Sequence, residues 1–284
     1  MLNFNGKLLD HDLDFLDIQN RGLLYGDAVY EELRVVNGHV HFLEEHYLRL
    51  MSSMRILRME IPMVFTMEYM EAEILKTLES FDSNGSYGVK LLVYRASTGT
   101  ILPNSNNVAY VITVRSLESP FFVLDDKSYE VELFKDFYKG SNLLATLNTN
   151  NKMLNVVGSI FAEENDYQDC LLLNEQKHVV ESLYGNLFLV SGTDMKTAPL
   201  TDGCINGILR KKLIEILSKL DEYVIKEESI SPFDLQKADE LFIINSIEGI
   251  KSITKYRKKT YTNETAKKLV GKLNASARIE MNSH

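Results

Sequence analysis

The sequence turns back on itself at Asn37-Gly38. The pair sits inside VYEELRVVNGHVHF (29–42), and both residues accept the positive φ angles that a two-residue hairpin turn demands, so the flanking stretches are predicted to pair as antiparallel strands. The next two segments, LEEHYLRLMSSMRIL (43–57) and TMEYMEAEILKTLESF (66–81), place apolar residues at Leu43, Tyr47, Leu50, Met51 and Met54, and at Met67, Met70, Ile74, Leu75 and Leu78. That period predicts two amphipathic helices. GVKLLVYR (88–95) and VAYVITVRSL (108–117), parted by the polar STGTILPNSNN, read as strands, so residues 1–117 predict a small α+β domain. Residues 118–122 around Pro120 are the expected linker.

Residues 123–284 predict a larger, β-rich domain. Strands are expected over 128–138, 169–175, 181–192, 240–247 and 250–256, and helices over about 152–165, 207–220 and 263–281. The chain as a whole is expected to be α+β.

Charge and cysteine usage narrow the function classes. Forty acidic against 31 basic residues leave a net charge of −9, which repels phosphate backbones and anionic lipid. Neither nucleic acid nor a membrane is an expected partner. The longest apolar runs, LFLV (187–190) and LFII (241–244), fall far short of a membrane helix. Lys7, Asp10 and Asp12 interrupt the stretch where an export signal would need its apolar core, so a cytoplasmic protein is expected. Cys170 and Cys204 have no second ligand in their flanks, and no metal site is expected.

Several segments could carry chemistry. GILRKKLIEIL, starting at Gly207, opens an amphipathic helix whose first-turn N–H groups suit an anion; taken alone it reads as an ordinary glycine at a helix start, because short glycine motifs recur by chance. Arg49 in EEHYLRL, taken singly, is a solvated helix charge, and Glu181 in VVESLYGNLF a turn carboxylate.

As an ordered set these residues resemble the class IV (fold type IV) pyridoxal-phosphate-dependent aminotransferase family, which includes branched-chain and D-amino-acid aminotransferases and aminodeoxychorismate lyase. RGLLYGDAVYEELR (21–34), LEEHYLRL (43–50), VVESLYGNLF (179–188), NGILR (206–210) and ADELFIINSIEGI (238–250) are similar to the family's motifs, in its order. The resemblance implies a two-domain fold, a homodimer as the expected assembly, and amino transfer between a small amino acid and a 2-oxo acid. It implies that pyridoxal 5′-phosphate is held at its phosphate by Arg49, the Gly207 loop with the N–H groups of Ile208 and Leu209, and the Ser246 hydroxyl. Glu181 would sit at the ring nitrogen, and Tyr30, Arg95 and Ile247 would face the substrate. The NSIEGI form of the last motif looks like the lyase subgroup, whereas Tyr30 in DAVYEELRVVNG looks like the D-amino-acid subgroup. Leu209 stands where the family usually has threonine, which removes a hydroxyl but no backbone donor.

One family requirement is missing. NTNNKMLNVV (148–157) matches the segment that opens on the Schiff-base lysine, with Thr149, Asn151 and Asn155-Val156 in register and Glu181 further on. The lysine position itself is Asn148. An amide nitrogen delocalised into its carbonyl is neither a nucleophile nor a base. Lys152 is the nearest substitute, close only if a helix has begun before it, and Lys139 in KGSNLL is a second. The expectation is therefore an aminotransferase-like protein with its lysine replaced; the alternatives are an aminodeoxychorismate lyase-like enzyme of folate synthesis and a catalytically silent cofactor-binding homologue.

Overall fold

The computed structural model describes residues 2–10 and 17–281. Asp12 and its neighbours at 11–16, part of the stretch read above for an export signal, lie outside them. The chain divides into two compact units. Unit 1 holds the residues through Pro120, Asn148–Asn151 and the chain end from Glu280; unit 2 holds Phe121–Leu147 and Lys152–Ile279. The chain thus returns to unit 1 for four residues, an excursion that a division at 118–122 does not contain.

Among the described residues, unit 1 is a sheet with one short and two longer helices. Its strands are β1 (Leu2–Phe4), β2 (Lys7–Leu9), β3 (Ala28–Val36), β4 (His39–Val40), β5 (Ser86–Arg95) and β6 (Val108–Ser116), in the order β2-β1-β6-β5-β3-β4. Asn37 and Gly38 turn the β3–β4 hairpin at φ 49° and 77°, the left-handed values that two-residue turns need. The same chemistry at Asn5-Gly6 (φ 48° and 82°) makes the β1–β2 hairpin, which the sequence reading omits. Helix α1 (Arg21–Tyr25) is short, and α2 (Leu43–Ile56) and α3 (Met67–Leu78) are the two amphipathic helices. Thr66 caps α3 by accepting from the Tyr69 N–H. Leu50, Met54, Met70 and Ile74 from α2 and α3 pack with Val29, Leu33 and Val35 of β3. Successive strand residues point to opposite faces, so Tyr30 points away from this helix-covered side.

Unit 2 has two five-stranded sheets, ordered β12-β11-β10-β13-β14 and β16-β15-β7-β8-β9. The strands are β7 (Glu130–Lys139), β8 (Asp169–Asn174), β9 (Val179–Ser182), β10 (Asn186–Ser191), β11 (Asp194–Thr197), β12 (Val224–Glu227), β13 (Glu240–Asn245), β14 (Gly249–Ile253), β15 (Lys255–Tyr256) and β16 (Lys259–Thr260). Helices α4 (Met153–Glu164), α5 (Ile208–Leu217), α6 (Pro232–Lys237) and α7 (Glu264–Met281) accompany them. Among the described residues no helix is long and apolar enough to cross a membrane.

Two expected strands are each two. The run 181–192 breaks because Ser182 Oγ accepts the N–H groups of Tyr184 and Gly185, folding a turn that carries the chain from one sheet to the other. Gly185 is required there, since a Cβ would come within 2.6 Å of the Ile244 carbonyl oxygen. The break leaves Glu181 on β9 and Asn186 at the start of β10. The run 250–256 breaks at Thr254, whose N–H and Oγ1 both bond the Tyr129 backbone instead of a strand partner.

Candidate functional site

In unit 2 the site grows from the backbone of a single residue, Ile205. Glu181 faces into β9's buried side at 3% exposure, and its Oε2 accepts the Ile205 N–H at 2.6 Å. Asn186 Nδ2 donates to the carbonyl oxygen of the same Ile205 at 2.8 Å. Glu181 and Asn186 therefore fix the loop that leads into α5. Gly207 follows, and a Cβ there would fall 2.2 Å from Asn186 Oδ1, so only glycine lets the loop pass this close. Helix α5 then starts with no side chain capping its N-terminus, which leaves the first-turn donors of Ile208 and Leu209 facing outward with the positive end of the helix. The apolar side chains of both residues are buried and hold that end still. Arg210 turns inward, donating to the Ala198 carbonyl at 2.7 Å and pairing with Glu227.

Ser246 is half-buried in the turn between β13 and β14, which Asn245 Oδ1 shapes by accepting the N–H groups of Ile247 and Glu248. Ile247 is buried in that turn. Because α5 packs on β13 and Asn186 pairs with Ile244, the turn, the Gly207 loop and Glu181 belong to one neighbourhood of unit 2. Lys139, at the end of β7, points its ammonium onto Glu181 Oε1. It is no surface lysine: its side chain is 12% exposed. Lys152 is the N-cap of α4, and residues 148–152 are not helical. The helical shortcut that would bring its amine back toward position 148 is not taken.

In unit 1 the carboxylate of Glu31 receives Arg49 Nε at 2.9 Å, Arg49 Nη2, and His46 Nδ1 at 2.6 Å. Burial works against charge on Glu31, but Arg49 and His46 outweigh it and hold the carboxyl below its usual range. Burial disfavours charge on His46 as well and holds the imidazole below its usual range, against the pull of the Glu31 carboxylate. Arg49 is thus a braced, nearly buried arginine and not the solvated charge its helix position alone suggests.

Asn148–Asn151 dock onto β3. The Tyr30 N–H donates to the Asn148 carbonyl at 2.9 Å, Thr149 bridges Val29, and the Asn150 N–H reaches Ala28 O at 3.0 Å. Asn151 Nδ2 donates to Gly26 O; Gly26 is left-handed (φ 63°), and a Cβ there would strike Asn151 Oδ1 at 2.3 Å. The residues downstream of position 148 are therefore spent on placing it beside Tyr30. The Tyr30 ring is itself buried under Lys90, whose Nζ lies 4.1 Å from its centroid.

Arg95 departs from the expected substrate-facing role. Its guanidinium is buried and committed to Asp27 at 2.9 Å, Asn106 Oδ1 at 2.6 Å, Leu57 O at 2.7 Å and Arg58 O at 3.2 Å. Arg21 Nε shares the same Asp27 oxygen, Oδ2, at 2.9 Å. The motif arginine is an anchor for its own unit. Sequence reasoning also passed over Glu31, His46 and Asn186. The signal for Asn186 was present, a lone amide opening the apolar run LFLV; for Glu31 and His46 only the contact itself reveals the pairing.

A buried carboxylate, a glycine cradle that a Cβ would fill and an uncapped helix end form a set suited to a phosphorylated ring that carries a basic nitrogen. Residues 28–256 match the family model described as Amino-transferase class IV, and the chain belongs to that family. Its enzymes depend on pyridoxal 5′-phosphate. A putative branched-chain-amino-acid aminotransferase of Methanocaldococcus jannaschii is 28% identical over 269 residues, spanning 95% of this chain and 92% of that protein. An aminodeoxychorismate lyase of Vibrio harveyi is 23% identical over 237 residues, 83% of this chain and 85% of its own. The solved structure of a branched-chain aminotransferase from Thermoproteus uzoniensis with norvaline shares the fold at a TM-score of 0.86 and 21% identity, covering 95% of this chain and 92% of that one.

Proposed function

We infer that this chain binds pyridoxal 5′-phosphate and descends from aminotransferases acting on a small amino acid and a 2-oxo acid, with Asn148 leaving it without the residue that makes turnover fast. The observation that carries the binding reading is the Ile205 backbone held between Glu181 at its N–H and Asn186 at its carbonyl, which sets carboxylate and helix end in one fixed frame. In this reading the N–H groups of Ile208 and Leu209, the Ser246 hydroxyl and Arg49 bind phosphate, and Glu181 orients the ring. Tyr30 and Ile247 line the substrate side. The bound group supplies an electron-withdrawing ring and an aldehyde carbon for the substrate's amine. What the chain lacks is a side chain at 148 able to hold and return a proton there.

Titration of the protein with pyridoxamine 5′-phosphate tests the reading, because that form needs no lysine to bind. Saturable binding that Glu181→Gln weakens is expected; no binding by the unaltered protein overturns it. The lyase relative and the NSIEGI segment support aminodeoxychorismate lyase chemistry as the second reading. Assaying the Asn148→Lys variant for pyruvate release against amino transfer separates the two.

A homodimer and a cytoplasmic setting complete the proposal. Helix α4 exposes Met153, Val156 and Ile160 along one face, with Phe137 of β7 also exposed, an apolar surface suited to a second copy. Ile160→Glu is expected to shift the sedimentation of a dimer to that of a monomer, and a monomeric starting protein overturns the assembly. Cys170 and Cys204 are free and buried, which fits a reducing compartment.

A further inference from the structure

Glu181 already has a partner on each oxygen: the Ile205 N–H on Oε2 and the Lys139 ammonium on Oε1. The second partner starts from a fixed backbone. Lys139 ends β7 in register with Asn174 of β8, and the next residue is pressed against the loop that carries Ile205. A Cβ on Gly203 would meet the Gly140 carbonyl oxygen at 2.3 Å, so the two segments touch backbone to backbone, and Gly203 adopts φ 97° to allow it. Ser141 Oγ bonds Gln176 just beyond. The lysine stem therefore leaves a clamped backbone and ends, 12% exposed, on a carboxylate that is 5% exposed.

We propose that Lys139 is a positioning residue that acts through Glu181, holding the ring nitrogen of a bound cofactor unprotonated. The proposal rests on the cofactor reading above. A carboxylate alone beside a pyridine nitrogen stabilises the protonated ring, but a carboxylate already neutralised by an ammonium does not, and the ammonium repels a ring N–H⁺ that approaches the same oxygens. An unprotonated ring withdraws electrons weakly. Lys139 and Asn148 then act in one direction, the first weakening the electron sink and the second removing the proton carrier.

Pyridoxamine 5′-phosphate is the probe, with the ring absorbance followed against pH in the unaltered protein, Lys139→Met and the milder Lys139→Gln, which keeps a donor without charge. Both variants are expected to keep the ring proton to a pH higher by about one to two units and to bind roughly tenfold tighter at neutral pH. Binding whose affinity and pH midpoint neither variant changes, or a midpoint moved down, overturns the inference and leaves the cofactor reading standing. Failure of all three proteins to bind overturns both. A cofactor-free measurement checks the pairing itself: Glu181→Gln is expected to raise the rate at which an acylating reagent labels Lys139, and an unchanged rate overturns the proposed counter-ion.

Discussion

The Tyr30 N–H donates to the Asn148 carbonyl at 2.9 Å, so position 148 is held by its main chain as an added rung on the edge of β3. Its side-chain identity plays no part in that bond. Asn148→Lys should therefore leave the local backbone in place, and is expected to give a protein that retains pyridoxal 5′-phosphate covalently after borohydride reduction and turns over amino acids. General acid–base catalysis alone is worth roughly 10² to 10⁴ in rate. Peptide mapping of the reduced adduct checks the assignment: an adduct at Lys139 or Lys152 in the unaltered protein refutes it.

Gly207 and Gly271 make opposite predictions for the same substitution. At Gly207 an alanine methyl would collide with Asn186 Oδ1, at 2.2 Å, and push the loop off its Ile205 anchor. Gly207→Ala is expected to weaken cofactor binding about tenfold or more and to cost roughly 1 to 3 kcal/mol of stability. At Gly271, inside α7, a Cβ meets nothing within 4 Å. Gly271→Ala should stabilise the protein by about 0.5 to 1 kcal/mol. Denaturation midpoints of the pair decide both.

Arg95→Met is expected to cost about 1 to 3 kcal/mol for each acceptor it leaves without a donor, the Leu57 and Arg58 carbonyls and Asn106 Oδ1, while Asp27 keeps Arg21. Urea unfolding measures it. A variant of normal stability that is altered only in substrate affinity would return Arg95 to the role its motif suggested.

Asp169 gives a pH signature. It is fully buried and accepts from Tyr129 Oη at 3.1 Å and from the Cys170 and Leu183 N–H groups, yet burial raises its carboxyl from 3.8 to about 6. A carboxyl raised in the folded state contributes stability that is present below the unfolded value and lost as pH rises through the folded one. Asp169→Asn removes this loss. Relative to the unaltered protein, the variant should therefore gain about 2 kcal/mol between pH 4.5 and pH 7, read from paired urea titrations. A difference that stays flat across that range would mean the carboxyl ionises normally.

The local grammar of the chain was legible before any coordinates. Asn37-Gly38 specifies a turn whatever surrounds it, because the φ angles are a property of the two residues, and the 3.6-residue spacing in 43–57 and 66–81 names helices that need one apolar face covered. Asn5-Gly6 carried the same turn signal at the chain start and went unread. The ordered motifs marked Glu181, Gly207 and Asn148 as a set, since each residue type is tied to a chemistry. Tertiary structure decided how those groups are engaged. That Lys139 meets Glu181 depends on a parallel β7–β8 pairing between segments distant in sequence, and that Arg49 is braced by Glu31 depends on how α2 lies on β3. Arg95 shows the limit most plainly: its place at the end of β5 is written in the sequence, but the carbonyls of Leu57 and Arg58 that claim its guanidinium converge on it only when the chain folds, and spacing along a chain carries no record of which distant backbone groups are left in want of a donor.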